Sequence, residues 1–226
     1  MIRTALIVGA GSGLSAALAR VFSASGLMVA LAARSPDKLE GLAEAIGARA
    51  YACDAGDPAS VAALFRRLDS DLPPLDLAVF NPSRRVRGPV QELDPADVAE
   101  ALRIGAFGGL LMAREAVQRM APRGHGTLLF TGASASVKGY AQSSPFAMAK
   151  FALRGLAQSL ARELSPQGIH VGHVVIDGRI RAMGASDPGD DTLDPMAVAE
   201  TYLALYRQPR SAWTWEVEVR PWVERF

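Results

Sequence analysis

The stretch TALIVGAGSGL at residues 4–14 determines the fold that this chain is expected to adopt. Thr4–Val8 is a short apolar run typical of a buried strand, glycines follow it at once, and apolar residues then recur at helical spacing. A strand, a glycine turn and a helix present backbone N–H groups and a helix N-terminus to a phosphate. The stretch therefore predicts a dinucleotide-binding turn, with a purely structural turn as the alternative. Its predicted binding residues are Gly9, Gly11, Ser12, Gly13 and Leu14.

Strands and helices alternate along the rest of the chain. Further strands are predicted at residues 28–33, 48–52, 75–80, 127–131, 170–176 and 213–220. Helices are predicted at residues 14–25, 38–46, 58–68, 95–120, 146–164 and 195–206. This alternation is typical of a parallel, doubly wound sheet. The sequence therefore predicts an α/β protein with a single domain over residues 1–226.

The helix predicted at residues 95–120 contains three glycines in its middle, Gly105, Gly108 and Gly109. Glycine inside a helix costs about 1 kcal/mol relative to alanine. We expect these glycines to allow close helix packing rather than to serve a catalytic function.

Composition restricts the class of protein. The chain has 226 residues, 50% of them hydrophobic, and a formal net charge of +1. This length suits one domain with a sizeable core, and the charge gives no reason to expect nucleic-acid or polybasic membrane contacts. The single cysteine, Cys53, has no partner in the chain, which favours a reducing compartment. No apolar run reaches the ~18 residues of a spanning helix, and the first strand begins too early for a signal peptide. We expect a cytoplasmic protein.

Several residues beyond the glycine turn fall in the order of a known family. They are Ser15 after Gly13-Leu14, Asp54 after the third strand, Asn81 after the fourth, Lys150 in the helix at residues 146–164, and Asp177-Gly178 after the sixth strand. From Thr4 to about Pro221, this order resembles the short-chain dehydrogenase/reductase family. The resemblance implies a Rossmann-type sheet of about seven strands with helices on both faces. It also implies binding of NAD(H) or NADP(H) and hydride transfer to a carbonyl or from an alcohol.

The resemblance assigns cofactor-binding roles to individual residues. Asp54 matches the aspartate that hydrogen-bonds the adenine, with a strand-end turn residue as the alternative. Asn81 and Gly178 fall at further cofactor-binding positions, and Lys150 matches the lysine that holds the nicotinamide ribose. Ser15 stands where a third glycine is usual, which still allows helix–strand packing.

The residues after the second strand bear on the choice of nucleotide. An acidic side chain there would hydrogen-bond the ribose 2′-hydroxyl of NAD, but the chain has Arg34 and Ser35 instead. Arg34 can hold a 2′-phosphate through charge-assisted hydrogen bonds. The sequence therefore favours NADP(H) over NAD(H), with a solvated surface charge as the alternative for Arg34.

The catalytic positions implied by the resemblance differ from the family's usual set of Asn, Ser, Tyr and Lys. Phe146 stands at the tyrosine position, Ala133 at the serine position, and Gly105 at the asparagine position; only Lys150 is kept. Residues four apart lie on one face of a helix, so a tyrosine at 146 would be activated by Lys150. Phenylalanine has no proton to donate. We therefore predict Lys150, Ser134 and Tyr140 as the catalytic residues.

Three interpretations follow from this departure. The leading one is an NADP-dependent oxidoreductase whose proton comes from elsewhere, such as Tyr140, Ser134, Asp177, water or the substrate itself. The second is a non-catalytic dinucleotide-binding protein, acting as a sensor or oligomer partner. The third is a one-residue slip in the correspondence, which would restore Ser134 as the serine but would not restore the tyrosine.

Other polar residues carry weaker predictions. Loop arginines follow the fourth and sixth strands and suggest a cationic entrance for an anionic small-molecule substrate, with solvated loop charge as the alternative; they are Arg84, Arg85, Arg87, Arg179 and Arg181. The histidines His125, His170 and His173 have no metal-ligand grouping, so no metal site is predicted. The resemblance further implies a homodimer or homotetramer, paired through the helices that begin near Asp97 and Phe146.

Overall fold

The computed structural model describes residues 2–224, which contain one parallel sheet of seven strands. The strands are β1 (Thr4–Val8), β2 (Met28–Ala33), β3 (Arg49–Ala52), β4 (Leu75–Phe80), β5 (Gly126–Thr131), β6 (Ile169–Ile176) and β7 (Glu216–Val219). Their order in the sheet is β3-β2-β1-β4-β5-β6-β7. The predicted doubly wound, Rossmann-type sheet is therefore confirmed.

Helices cover both faces of this sheet. They are α1 (Leu14–Ala24), α2 (Glu40–Ile46), α3 (Pro58–Asp71), α4 (Pro95–Leu102), α5 (Gly108–Met120), α6 (Ser144–Leu164) and α7 (Pro195–Tyr206). Apolar side chains of α3, α5 and α6 form the core on one face, and those of α1, α2 and α7 form the core on the other. The central strands are buried on both faces, which explains their continuous apolar runs.

The strand order reverses between β1 and β4, and this point positions the site. The two strands are parallel neighbours, with Val8 paired to Phe80. The backbone N–H of Asn81, just beyond β4, donates to the carbonyl of Val8 at 3.0 Å. Ligands of open α/β sheets bind at the carboxyl ends of the strands beside such a reversal. The glycine turn after β1 therefore lies next to the segment that follows β4.

The predicted helix at residues 95–120 is interrupted by a π-helical segment, Arg103–Phe107, between α4 and α5. The glycines nearby permit close packing, as expected. A Cβ atom on Gly109 would lie 2.6 Å from Cδ1 of Leu153, and one on Gly108 would lie 2.6 Å from the carbonyl oxygen of Ala55. The helix cost of these glycines is thus offset by tight contact with α6 and the segment after β3.

Several predicted bounds differ from the structure by one to three residues, and 3₁₀ turns account for two of these differences. In place of one helix at residues 38–46, the structure has a 3₁₀ turn, Pro36–Leu39, followed by α2. The proline at the start of the turn fixes its first φ angle. The last strand is four residues long rather than eight, since Arg210–Ala212 forms another 3₁₀ turn and Trp213 stacks on His170 at a centroid distance of 5.0 Å. In the part of the chain that the structure describes, no helix combines the length and apolar character needed to cross a membrane.

Candidate functional site

Two adjoining cavities open along the carboxyl edge of the sheet. The glycine-turn cavity, of about 750 Å³, is lined among others by Gly9, Gly11, Ser12, Arg34 and Asp54. The Lys150 cavity, of about 890 Å³, is lined among others by Leu14, Ser134, Tyr140, Phe146, Lys150 and Gly178. Asn81 and Ser83 line both. Apart from Gly13, which is in the lining of neither, the predicted site residues are divided between two neighbouring cavities, with Asn81 at their junction.

The glycine turn has the local structure that a phosphate requires. Gly9 has a φ of +80°, and a Cβ there would lie 2.7 Å from the backbone nitrogen of Pro82. At Gly11 and Gly13, by contrast, a Cβ would meet no atom within 4 Å. No side chain caps the N-terminus of α1, and its first turn contains no acidic residue. Uncapped N–H groups beside open space match the requirements of a bound anion, so this chain's residues fit a dinucleotide pyrophosphate.

Ser15 links the glycine turn to the end of β4. Its hydroxyl, which is 1% exposed, donates to the carbonyl of Gly9 at 3.0 Å and accepts from the side-chain amide of Asn81 at 2.7 Å. The sequence identified Ser15 only as a small residue in place of glycine. A buried hydroxyl needs a hydrogen-bond partner. A serine at this packed position could therefore have predicted such a contact from the sequence.

Arg34 and Asp54 follow two neighbouring strands, β2 and β3, and both line the glycine-turn cavity. Arg34 follows β2 beside Ser35, as the prediction for a 2′-phosphate requires. The Asp54 carboxylate accepts from the N–H of Gly56 at 2.9 Å and pairs with Arg103 at 3.1 Å. Partial burial acts to raise the pKa of Asp54, but the Gly56 hydrogen bond and Arg103 lower it overall. Asp54 therefore shapes a turn, as its alternative interpretation stated, and also lines the cavity.

Lys150 is buried on α6 at the end of β5. Its ammonium donates to the carbonyl oxygen of Thr131 at 2.7 Å, and the side chain is almost inaccessible, since the residue is 3% exposed. Burial and then the nearby charge of Arg85 lower the pKa of Lys150 to about 8. One N–H of the ammonium is used by Thr131, so two remain for a ligand.

Phe146 lies one helical turn before Lys150 and contacts two cations. Its ring is buried against Ala133 and Ala135. The Lys150 nitrogen lies 5.8 Å from the ring centroid, and the guanidinium carbon of Arg85 lies 4.7 Å from it. Cations at such distances are attracted to the negative face of the ring. The sequence identified both Phe146 and Arg85 but did not predict that they stack.

The other predicted catalytic residues also lie in the Lys150 cavity. Ser134 begins a short 3₁₀ turn after β5, and Tyr140 is half-exposed on the loop before α6. Within residues 2–224, neither hydroxyl is hydrogen-bonded to Lys150. Asp177, also in the lining, is buried and pairs with Lys138 at 3.5 Å. The structure therefore brings these groups into one cavity without linking them directly.

A buried polar network lies behind the cavity. His173 on β6 is fully buried, and its Nδ1 lies 2.9 Å from the Glu216 carboxylate of β7. Arg154 on α6 binds both oxygens of that carboxylate, at 2.6 and 2.7 Å. Burial lowers the pKa of His173, which disfavours the protonated ring. The described residues include no group of three or more potential ligands that could hold a metal ion.

Comparison with known proteins agrees with this arrangement. The family model described as short chain dehydrogenase matches residues 3–181. A short-chain dehydrogenase from Rhodopseudomonas palustris has a solved structure with a TM-score of 0.86 and 36% identity, covering 97% of this chain and 99% of its own. D-threitol dehydrogenase of Mycolicibacterium smegmatis is 28% identical over 174 residues, which is 75% of this chain and 67% of the relative. A metagenomic short-chain oxidoreductase solved in complex with NADP shares the fold, with 24% identity, a TM-score of 0.86 and 97% coverage of both chains.

The family match includes the residues that build the site. Residues 3–181 contain the glycine turn, Asn81 at the junction of the cavities, Lys150 and Asp177-Gly178. The same span covers six of the seven strands of the sheet. This chain belongs to the short-chain dehydrogenase family.

Proposed function

We propose that this short-chain dehydrogenase-type oxidoreductase uses NADP(H) to interconvert a carbonyl and an alcohol in a small molecule. The carrying observation is the pair of adjoining cavities, one containing an uncapped glycine turn and the other a buried lysine, with Asn81 between them. Bound nucleotide would supply or accept the hydride. The D-threitol dehydrogenase relative acts on a polyol and a structural neighbour binds NADP, and both support this class.

Each part of the nucleotide has a proposed partner in the cavities. The glycine turn and the N-terminus of α1 would hold the pyrophosphate, with Gly9, Gly11, Ser12, Gly13 and Leu14 as its residues. Arg34 and Ser35 would hold the 2′-phosphate, and Asp54 would hydrogen-bond the adenine. Asn81, Lys150 and Gly178 would hold the nicotinamide half, because they line the Lys150 cavity.

We propose that the catalytic set is atypical. Phe146 cannot donate a proton, Ala133 has no hydroxyl, and Gly105 lies in the π segment where a Cβ would approach that of Ala149 to 3.1 Å. Lys150 would orient the nicotinamide ribose. Ser134 or Tyr140 would then supply the hydroxyl nearest the reacting oxygen, because both line the same cavity.

Nucleotide titration tests the cofactor assignment. In a fluorescence titration, NADPH should bind at lower concentration than NADH. Arg34→Ala should weaken the affinity for NADPH by roughly tenfold, since a charge-assisted contact is lost. Arg66→Ala removes an equal charge from an exposed position on α3 and serves as the control. Absence of binding by either nucleotide would overturn the proposed function.

Turnover tests the chemistry. Oxidation of NADPH by a panel of small aldehydes and ketones should be detectable in the unmodified protein and should be lost in Lys150→Ala. Activity that appears only in a Phe146→Tyr, Ala133→Ser double variant would instead support a dinucleotide-binding protein without catalysis. Unmodified protein that binds NADPH, with no turnover in either form, would contradict the enzymatic assignment.

We further propose a homodimer or homotetramer formed through α4, α5 and α6. Four large apolar side chains on or beside α5 and α6 are each 44–49% exposed. They are Phe107 just before α5, Leu110 on α5, and Met148 and Phe151 on α6. Phe151→Glu should therefore shift the mass measured by light scattering towards a monomer. A cytoplasmic location is proposed because the one cysteine, Cys53, is a buried free thiol.

A further inference from the structure

The Lys150 cavity contains more cationic than anionic side chains. Its cations are Arg85, Arg87, Lys150 and Arg179, and its carboxylates are Asp177 and Glu224. Asp177 is engaged by Lys138, and Arg179 pairs with Asp191 at 3.6 Å. Among the described residues, Arg85, Arg87 and Lys150 form no ion pair with a carboxylate. Within residues 2–224 the cavity therefore has three cations without a paired carboxylate, against one further lining carboxylate, that of Glu224.

We propose that Arg85, held on the ring of Phe146, binds a carboxylate of the substrate, so that the substrate is a small carboxylic acid. This inference rests on the proposed function and identifies its substrate class. It makes Arg85 the specificity-determining residue of the cavity and gives Phe146 a positioning role.

The geometry around Phe146 carries this inference. Arg85 is exposed, but its guanidinium lies over the ring face at 4.7 Å, and the ring itself is buried and held by α6. A long exposed side chain is otherwise free to sample many rotamers, so stacking reduces the entropy lost when a ligand binds. The ring covers one face of the guanidinium and leaves its edge N–H groups free to donate.

The free donors suit a planar, two-oxygen anion. A guanidinium presents paired N–H groups that match a carboxylate in a bidentate arrangement. Lys150 lies on the same ring at 5.8 Å and retains two N–H groups after its bond to Thr131. The repulsion between Arg85 and Lys150 helps to lower the lysine pKa, and an anion placed between them would relieve that repulsion.

The test compares an anion with its neutral isostere. Benzoate and benzamide are titrated by calorimetry into the protein with and without NADPH, so that loss of nucleotide binding is seen separately from loss of anion binding. Benzoate should bind at least tenfold more tightly than benzamide, because only benzoate can pair with Arg85. Equal affinity for the two compounds, or no detectable benzoate binding, would overturn the proposal while leaving NADPH binding intact.

Variants assign the effect to the stacked arginine. Arg85→Gln should weaken the affinity for benzoate by roughly tenfold or more. Arg66→Gln, an equal loss of charge on α3, should leave that affinity unchanged. Phe146→Leu should also weaken benzoate binding. Phe146→Tyr should leave the benzoate affinity at that of the unmodified protein, because tyrosine keeps the ring face. Thermal unfolding of each variant shows whether it is folded. Folded Arg85→Gln with unchanged benzoate affinity would contradict the assignment, as would Phe146→Leu with the affinity of the unmodified protein.

Discussion

Buried charges at the amino ends of the strands (the amino edge) and at their carboxyl ends (the carboxyl edge) differ in their partners. At the amino edge, Asp76 on β4 is 1% exposed and is surrounded by donors. Arg3 lies 2.6 Å from its carboxylate, Tyr206 donates to it at 2.8 Å, and His125 lies at 3.1 Å. At the carboxyl edge, the ammonium of Lys150 is buried with a carbonyl oxygen as its partner and no carboxylate within the described residues.

This difference separates stability from binding. A buried charge with a full set of hydrogen-bonding partners joins the elements around it, and removing it leaves those partners unpaired. A buried charge without a counter-ion costs folding free energy, and that cost falls when the group loses its charge or when a ligand supplies the opposite charge. The amino edge is therefore internally neutralised, whereas at the carboxyl edge no carboxylate of the described residues pairs with Lys150.

The largest effect is expected at the amino edge. Asp76→Ala should lower the free energy of unfolding by about 3–5 kcal/mol, because it breaks a buried ion pair and leaves Tyr206 without its acceptor. Urea denaturation measures this change. Asp69→Ala, at an exposed ion pair with Arg119, should cost less than about 1 kcal/mol. A loss at Asp76 no larger than that at Asp69 would show that the network does not stabilise the fold.

The corresponding change at the carboxyl edge should have the opposite sign. Lys150→Met replaces a buried, uncompensated cation with an apolar side chain of similar length. Burial disfavours the charged form of Lys150 and lowers its pKa to about 8, so the free energy of unfolding of the variant at pH 7 should stay constant or rise. A clear loss of stability in the same urea experiment would mean that the Thr131 contact outweighs the cost of burial.

A smaller effect is expected where the two cavities meet. Ser15→Ala removes the acceptor of the Asn81 side chain and the donor to Gly9, which should lower the free energy of unfolding by about 1–2 kcal/mol. NADPH affinity should fall as well, because the glycine turn loses its link to β4. Ser12→Ala, at an exposed position of the same turn, provides the stability control. Equal stability of the two variants would remove the structural role assigned to the Ser15 hydroxyl.

The smallest effect is a pH dependence of anion binding. Benzoate affinity should fall severalfold as pH rises through about 8, because Lys150 loses its charge there, and benzamide affinity should not change. The charged or titratable groups around Lys150 include Arg85, Arg154, His173 and Glu216. Burial lowers the pKa of His173, hydrogen bonding from Arg154 lowers that of Glu216, and arginines stay charged, so none of these titrates between pH 7 and 9. The same dependence in Lys150→Met would exclude this lysine as its source.

Local sequence signals predicted the framework of the fold well. Apolar periodicity located strands and helices, and the strand Leu75–Phe80 and the helix Pro195–Tyr206 match their predicted bounds fully. The resemblance assigned the glycine turn, Asn81 and Lys150 to cofactor binding, and the structure finds them along the carboxyl ends of parallel strands. These features depend on residues close in sequence and on the topology of parallel strands, so no knowledge of side-chain packing was needed.

The sequence by itself indicated the parallel sheet, because alternating strands and helices follow from short-range periodicity and turn chemistry, and the order of its motifs indicated the family. Only the tertiary structure decided which side chains meet: Ser15 with Asn81, 66 residues apart, Tyr206 with Asp76, 130 residues apart, and Arg85 with the ring of Phe146. Such contacts depend on the course of loops and on helix packing, which local patterns do not specify. The charge left unneutralised beside Lys150 is a property of that packing, and it is the feature from which we infer the substrate class.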